Sequence, residues 1–171
     1  MTKLKHTKIT LIGMAGVGKT TFGKEIASKN NYSFIDVDTL INNEIKVSIH
    51  DYIQSHSEKE FLALEESIIL KLKLPKKCII STGGSVIYSK NAMTHLKKNS
   101  TIVFLTDSVT NIKNRIQNFD FRGIVRQNLT SFEDIYKSRM PLYKQYQDIT
   151  IKLPTPLTIE TALVQIEKKL S

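Results

Sequence analysis

The sequence predicts an α/β fold: a five-stranded parallel sheet sandwiched by helices. Three observations predict it. Short apolar runs alternate with longer amphipathic stretches along the chain, the pattern of strands joined by crossover helices. The first apolar run leads directly into a Gly-rich turn, GMAGVGKTT at Gly13–Thr21, and then into a helix. Finally, 171 residues with 40% hydrophobic and 24% charged content suit one unit with a real core, so residues 1–171 are expected to form a single domain.

The elements follow in order. Lys8–Ile12 (KITLI) reads as a buried strand entering the turn, and Lys19–Lys29 as the amphipathic helix leaving it. Ser33–Asp36 is the second strand, followed by helices at Asp38–Glu44, Ser48–Ser55 and Ser57–Leu72. Ser57 and Glu60 have capping-box spacing, and Pro75 lies beyond the end of that last helix. Strands at Cys78–Ser81, Thr101–Leu105 and Ile149–Lys152 alternate with helices at Lys90–Lys97, Ser108–Gln117, Ser131–Tyr146 and Thr158–Leu170. The polar, irregular stretch 118–130 (NFDFRGIVRQNLT) reads as a mobile loop.

Composition narrows the function. The net charge is +9, but most basic residues are Lys scattered from Lys3 to Lys169, as on a solvated surface. No basic run is interleaved with aromatics, so no nucleic-acid partner is expected. The four Arg differ: Arg115, Arg122, Arg126 and Arg139 all fall within 25 residues, and Arg offers a planar fork suited to phosphate and carboxylate. No apolar run approaches the 18 or more residues of a membrane span. The lone Cys78 reads as a buried structural thiol, and the chain as cytoplasmic. The four His are dispersed without metal-ligand spacing, and Tyr136, Tyr143 and Tyr146 read as packing residues.

Gly13–Thr21 matches G-x-x-x-x-G-K-[ST], a loop that cradles nucleotide phosphates. Backbone N–H groups approach an anion closely where side chains are absent, which is the reading of Gly13, Gly16 and Gly18. Lys19 supplies a point charge for the terminal phosphates, Thr20 a hydroxyl for Mg²⁺, and the following helix its positive N-terminal end. The nucleotide-binding set is therefore Gly13, Ala15, Gly16, Val17, Gly18, Lys19, Thr20 and Thr21. In FIDVD, Asp36 and Asp38 lie two apart at the end of the second strand, where side chains share a face and ligands of open α/β sheets bind. Asp38 suits a base beside an acceptor hydroxyl, and Asp36 suits Mg²⁺ through a water. Asp38 reads equally well as a cap of the next helix.

With these blocks in place, the chain resembles the shikimate kinase family, within the nucleoside-monophosphate-kinase-like P-loop kinases. The resemblance rests on the phosphate loop, FIDVD, EKEFLALEE at Glu58–Glu66, STGGS at Ser81–Ser85, RGIVRQ at Arg122–Gln127 and SRMPLY at Ser138–Tyr143. It implies ATP- and Mg²⁺-dependent phosphorylation of a shikimate ring hydroxyl by a monomer. It also implies a substrate-binding insert near 36–66 and a lid near 118–130. By resemblance, Lys19, Asp38 and Arg122 are the catalytic residues, and Arg115 and Pro156 join the nucleotide set. Asp38, Gly83, Gly84 and Arg139 would bind the acceptor, and Thr20 and Asp36 the metal.

The departures lie in the acceptor region. Leu62 stands where the family has an Arg that helps to bind the acceptor carboxylate, and Ser85 replaces a third Gly. The lid pattern is Arg122-Gly123-Ile124-Val125 in place of Arg-Pro-Leu-Leu, and Glu65 is left without its expected Arg. Leu62 also extends an apolar helical face formed by Phe61, Leu64, Ile68, Ile69 and Leu72. Either another cation (Lys59 or Arg126) compensates, or the acceptor carries no carboxylate there. A related kinase with a different small acceptor, and a nucleotide-binding protein without turnover, remain the alternative readings.

Overall fold

The computed structural model describes residues 4–116 and 123–171. The strands are β1 (Lys8–Ile12), β2 (Ser33–Asp36), β3 (Cys78–Ser81), β4 (Thr101–Thr106) and β5 (Ile149–Lys152). The helices are α1 (Lys19–Asn30), α2 (Val37–Ile45), α3 (Ile49–Ser55), α4 (Glu58–Leu70), α5 (Lys90–Asn99), α6 (Val109–Arg115), α7 (Phe132–Tyr146) and α8 (Ile159–Leu170). A 3-10 turn at Val86–Tyr88 was not expected from the sequence.

All five strands are parallel, in the order β2-β3-β1-β4-β5. The central strands β1, β3 and β4 are apolar runs buried on both faces, whereas the edge strands β2 and β5 are half exposed. Ile9, Ile79 and Ile102 are fully buried at the heart of this sheet. Truncating any of them to Ala would cost about 2–5 kcal/mol in transfer and cavity terms. β1 lies where the strand order reverses, and the Gly-rich turn leaves its C-terminal end, the position at which open α/β sheets bind ligands.

Helix starts are set by side chains. Asp36, Ser48, Ser57, Ser89, Ser108, Ser131 and Thr158 each accept a backbone N–H in the first turn of α2 to α8. Such caps are worth about 1 kcal/mol each. At Ser57, however, the Glu60 side chain receives the Ser57 hydroxyl, so only half of the expected capping box forms at the backbone. α1 is different. Its N-cap is Gly18, with no side-chain cap, so the first amides of α1 are left for another acceptor.

Candidate functional site

A cavity of about 660 Å³ opens over the turn between β1 and α1, lined by the loop from Ala15 to Phe22, by Asp38, Thr82, Gly84 and Arg115, and by Leu157–Ile159. The three loop glycines adopt positive φ (144°, 80° and 108°). Their neighbours would also obstruct a side chain: a Cβ on Gly13 would meet Leu105 O, one on Gly16 the Ile116 side chain, and one on Gly18 the Phe22 ring. Glycine here is thus required by backbone conformation and packing, as well as by any approaching anion.

Lys19 Nζ donates to the carbonyls of Gly13 (2.8 Å) and Met14 (2.9 Å). Burial pulls its pKa down to about 8, against the opposing pull of Asp38. The Thr20 hydroxyl donates to Asp36 Oδ2 (2.8 Å) and lies 3.2 Å from Ser81 Oγ. This is an oxygen-only donor set with a single carboxylate, which fits a Mg²⁺ ion held mainly by phosphates and water. No cluster of three His, Cys, Asp or Glu that could hold a metal occurs among the described residues. Arg115 pairs with Asp107, which also accepts from Ser108 N (2.7 Å) and Asn111 Nδ2 (2.9 Å). Asp107 therefore fixes the guanidinium at the edge of the large cavity.

A second cavity of about 60 Å³ lies next to the first, lined by Ala15, Asp38, Ile49, Phe61, Gly83–Ser85, Gly123–Val125 and Arg139. Asp38, Ala15 and Gly84 line both. Burial raises the Asp38 carboxyl, Lys19 lowers it and Asp36 raises it further. Arg139 is buried; its Nη2 donates to Val125 O (2.6 Å), and its guanidinium lies 5.3 Å from the Tyr88 ring centre. Tyr143 donates to Gly84 O (2.6 Å) beneath it, and burial pushes its phenol up to about 12. Glu65 accepts the Ser85 hydroxyl at 2.9 Å, and burial, then Asp38, push its carboxyl up to about 7.

Most residues singled out from sequence meet here, with corrections. Asp38 does not share a strand face with Asp36. β2 ends at Asp36, which caps α2 through Thr39 N (3.0 Å), and Asp38 sits in the first helical turn. Capping thus falls to Asp36, not to Asp38. Glu65 is not partnerless, since Ser85, one of the departures, bonds it. Leu62 packs half-buried against the core, as an apolar face requires, and Lys59 is exposed. Pro156 precedes Leu157–Ile159, which do the lining. Arg122, with Gln117 and the lid stretch 118–122, lies outside the described residues. Sequence reasoning missed Asp107, and it missed Ser81, Thr82 and Tyr88, whose roles depend on long-range neighbours. It also missed Glu58, whose carboxylate accepts N–H from Arg126 (2.5 Å) and Gln127 (2.9 Å). Ser81, Thr82 and Asp107 carried one local signal, lying at or just past the C-terminal end of a strand, and the partners of the Asp107 carboxylate are all within eight residues. Cys78 is buried, and burial raises its thiol.

Comparison with known proteins points one way. A family model for shikimate kinase matches residues 15–166. The chain is 34% identical over 138 residues to the shikimate kinase of Caldicellulosiruptor saccharolyticus, covering 80% of each. It is 33% identical over 145 residues to that of Staphylococcus aureus strain JH9, covering 83% of each. Among solved structures it is similar to the shikimate kinase from Acinetobacter baumannii in complex with shikimate, with a TM-score of 0.82 at 25% identity over 97% of this chain and 93% of that one. A gluconokinase from Sinorhizobium meliloti 1021 shares the fold alone, with a TM-score of 0.58 at 15% identity.

Proposed function

We propose, from the premise that the chain belongs to the shikimate kinase family, that it transfers the γ-phosphoryl group of ATP to a ring hydroxyl of shikimate. One observation supports this reading above the others: Asp38 lines both cavities, so it stands at the boundary between a nucleotide site and a small acceptor site. A hydroxyl held there faces the end of the phosphate loop, as in-line transfer requires.

The uncapped amides of α1 and the Lys19 ammonium would counter charge on the β- and γ-phosphates. The acceptor oxygen forms a bond to γ-phosphorus, the bond to the bridging oxygen breaks, and ADP leaves with that electron pair. The hydroxyl proton passes to the Asp38 carboxylate, whose raised pKa makes it a better acceptor. Thr20 directly, and Asp36 through a water, would hold Mg²⁺, which supplies charge neutralisation on the phosphates. Arg115 would flank the base, and Arg122 is proposed to reach the transferred phosphate. Arg139 Nη1 and the Ala15 N–H, which a Cβ on Gly84 would meet at 2.8 and 3.2 Å, would take the acceptor carboxylate.

At about 60 Å³ the smaller cavity is far below the roughly 150 Å³ that holds a benzene ring. The acceptor needs more room than this cavity offers, and we read residues 123–125, whose Val125 carbonyl accepts from Arg139, as the wall that would lift. A nucleotide substrate and a lone buried thiol support a cytoplasmic setting, and no helix among the described residues is long and apolar enough to cross a membrane. Leu62, an apolar residue where a second acceptor-binding cation is expected, favours as a second reading another small hydroxylated acceptor. The test is ADP release with ATP and Mg²⁺ over shikimate, other hydroxy acids and polyols. Preferential turnover of shikimate is expected, and turnover of another acceptor with none of shikimate would overturn the first reading.

A further inference from the structure

The sequence presents Tyr143 as a packing residue and the transfer step gives it no task, yet its hydroxyl reaches the seam between the two cavities. It lies on α7 one turn beyond Arg139, so the two side chains share a face. The ring is fully buried and stacks on Phe104 of β4, with centres 5.0 Å apart and planes 16° from parallel. The sheet thus holds the ring from one side. A tyrosine ring turns on two side-chain bonds, so packing of this kind fixes the place of the oxygen at its tip.

That oxygen touches both loops that the transfer step joins. It donates to Gly84 O at 2.6 Å, and Met14 Sδ lies 3.9 Å away. A phenol has one hydrogen and the shorter contact takes it, so Met14 is held by packing against the oxygen. Burial pushes the phenol up to about 12 while Arg139 pulls it down, so the hydrogen stays in place at neutral pH. Met14 belongs to the phosphate loop: its carbonyl accepts from Lys19 Nζ (2.9 Å), and Ala15 follows it. Gly84 belongs to the second glycine loop, and its surroundings leave no slack. A Cβ there would stand 2.8 Å from Arg139 Nη1, 3.2 Å from Ala15 N and 3.4 Å from the Tyr143 hydroxyl. Ala15 and Gly84 each line both cavities. Where the phosphate loop meets the acceptor loop, Tyr143 therefore touches each of them.

We propose that Tyr143 is a positioning residue for phosphoryl transfer: its hydroxyl ties the Gly84 loop to the phosphate loop and so fixes the distance between the acceptor hydroxyl and the γ-phosphate. It lines neither cavity and acts only through Gly84 and Met14. Without the hydroxyl, Gly84 O loses this donor, while each half of the site keeps its own contacts. Lys19 still donates to Gly13 O and Met14 O, and Arg139 still donates to Val125 O and Tyr88 Oη. Binding survives and the register between two bound molecules is lost. A misplacement of about 1 Å can cost on the order of 10²-fold in rate.

This inference rests on the small-molecule kinase reading, and its test separates the two. Two rates are measured on one preparation at saturating ATP and Mg²⁺. The first is phosphorylation of shikimate; the second is ADP release with no acceptor present, in which water takes the phosphoryl group. Their ratio does not depend on how much of the protein is folded. In Tyr143→Phe the ratio should fall roughly tenfold or more, with KM for ATP and for shikimate within about threefold of wild type. Phe104→Leu alters the stacking and leaves the hydroxyl bond, so it should lower Tm and keep the ratio within about threefold of wild type. An unchanged ratio in Tyr143→Phe, an equal fall of both its rates, or the same loss of ratio in Phe104→Leu would overturn the proposal. So would a roughly tenfold rise in KM for shikimate at unchanged kcat, the mark of a binding residue. Should Tyr143→Phe not fold, Met14→Ala, which empties the other end of the tie, decides by the same ratio. If wild type ignores shikimate but phosphorylates another hydroxylated acceptor, only the shikimate reading falls, and that acceptor serves in the ratio. A wild type that transfers to no acceptor overturns both.

Discussion

Asp38→Asn should separate catalysis from stability. The carboxylate stands in the first turn of α2, lines both cavities and faces Lys19, while burial raises its proton affinity. The amide keeps the shape but cannot take a proton from the acceptor hydroxyl. Loss of a general base costs about 10²–10⁴-fold in rate, equivalent to about 2.7–5.5 kcal/mol on the barrier. The Lys19 contacts and the α1 amides are untouched, so KM for ATP should stay within about threefold of wild type. The folded state should respond in the opposite direction. A carboxyl whose pKa is raised by folding contributes stability only below its unfolded value near 3.8, and that contribution is lost as pH rises through the folded value. At neutral pH the wild type therefore bears a cost that the amide avoids, trimmed by the lost attraction to Lys19. Each tenfold change in that protonation equilibrium is about 1.4 kcal/mol, and 1 kcal/mol moves Tm by roughly 2–4 °C in a chain of this size. Coupled ADP release at saturating ATP measures the first effect, and calorimetry near pH 7 and pH 4 the second. A kcat within about threefold of wild type would refute the base. A variant that gains no Tm relative to wild type between acid and neutral pH would refute the electrostatic account.

Lys19→Ala should abolish turnover while circular dichroism shows the fold retained, because the loss of the donor to Gly13 O and Met14 O is offset by removal of a buried ammonium. Asp107→Asn should weaken the hold on Arg115 and raise KM for ATP roughly 3–10-fold without changing that for the acceptor, as steady-state kinetics would show. Glu58→Ala should speed hydrogen exchange at the amides of Arg126 and Gln127 about tenfold or more, read by mass spectrometry of peptides covering 123–130. Burial lifts the Glu65 carboxyl from 4.5 to about 7, so the stability it contributes is complete below 4.5 and lost as pH rises toward 7. Across that interval wild type should lose roughly 3 kcal/mol relative to Glu65→Gln, measurable by denaturation at a series of pH values.

The five strands occur where apolar runs place them, with β4 one residue longer, because a strand buried on both faces leaves a continuous apolar signature. Helix starts were legible for a local reason: a Ser, Thr or Asp three residues before its partner amide is a short-range device. Asp36 and Asp38 show the limit of periodicity. Two-residue spacing places them on one face only if the strand continues, and the Asp36 side chain ends it by capping α2. The Glu65–Ser85 bond spans 20 residues and the Glu58 contacts span 68 and 69, so neither has a pattern in any sequence window. The second glycine pair was legible as a loop, but the groups packed against it, Glu65 and Asp38 at Gly83 and Arg139 at Gly84, meet only once α2, α4 and α7 converge on it.

The position of β1 also governs how the protein can be made. Its ladder partners are Cys78–Ser81 on one side and Thr101–Phe104 on the other, so the first strand of the chain has no neighbour until far more of it exists. The phosphate loop at its tip packs against Leu105 and Ile116, which are synthesised later still. At roughly 5–20 residues per second, the loop leaves the ribosome several seconds before its walls. Long-range pairing of this kind makes the central ladder a late and slow event in folding. A nascent chain of about 75 residues carries the whole nucleotide motif but neither of the strands that flank β1. A nucleotide that binds only the completed loop would stabilise the finished protein by mass action, with the loop's walls at Leu105 and Ile116 already in place.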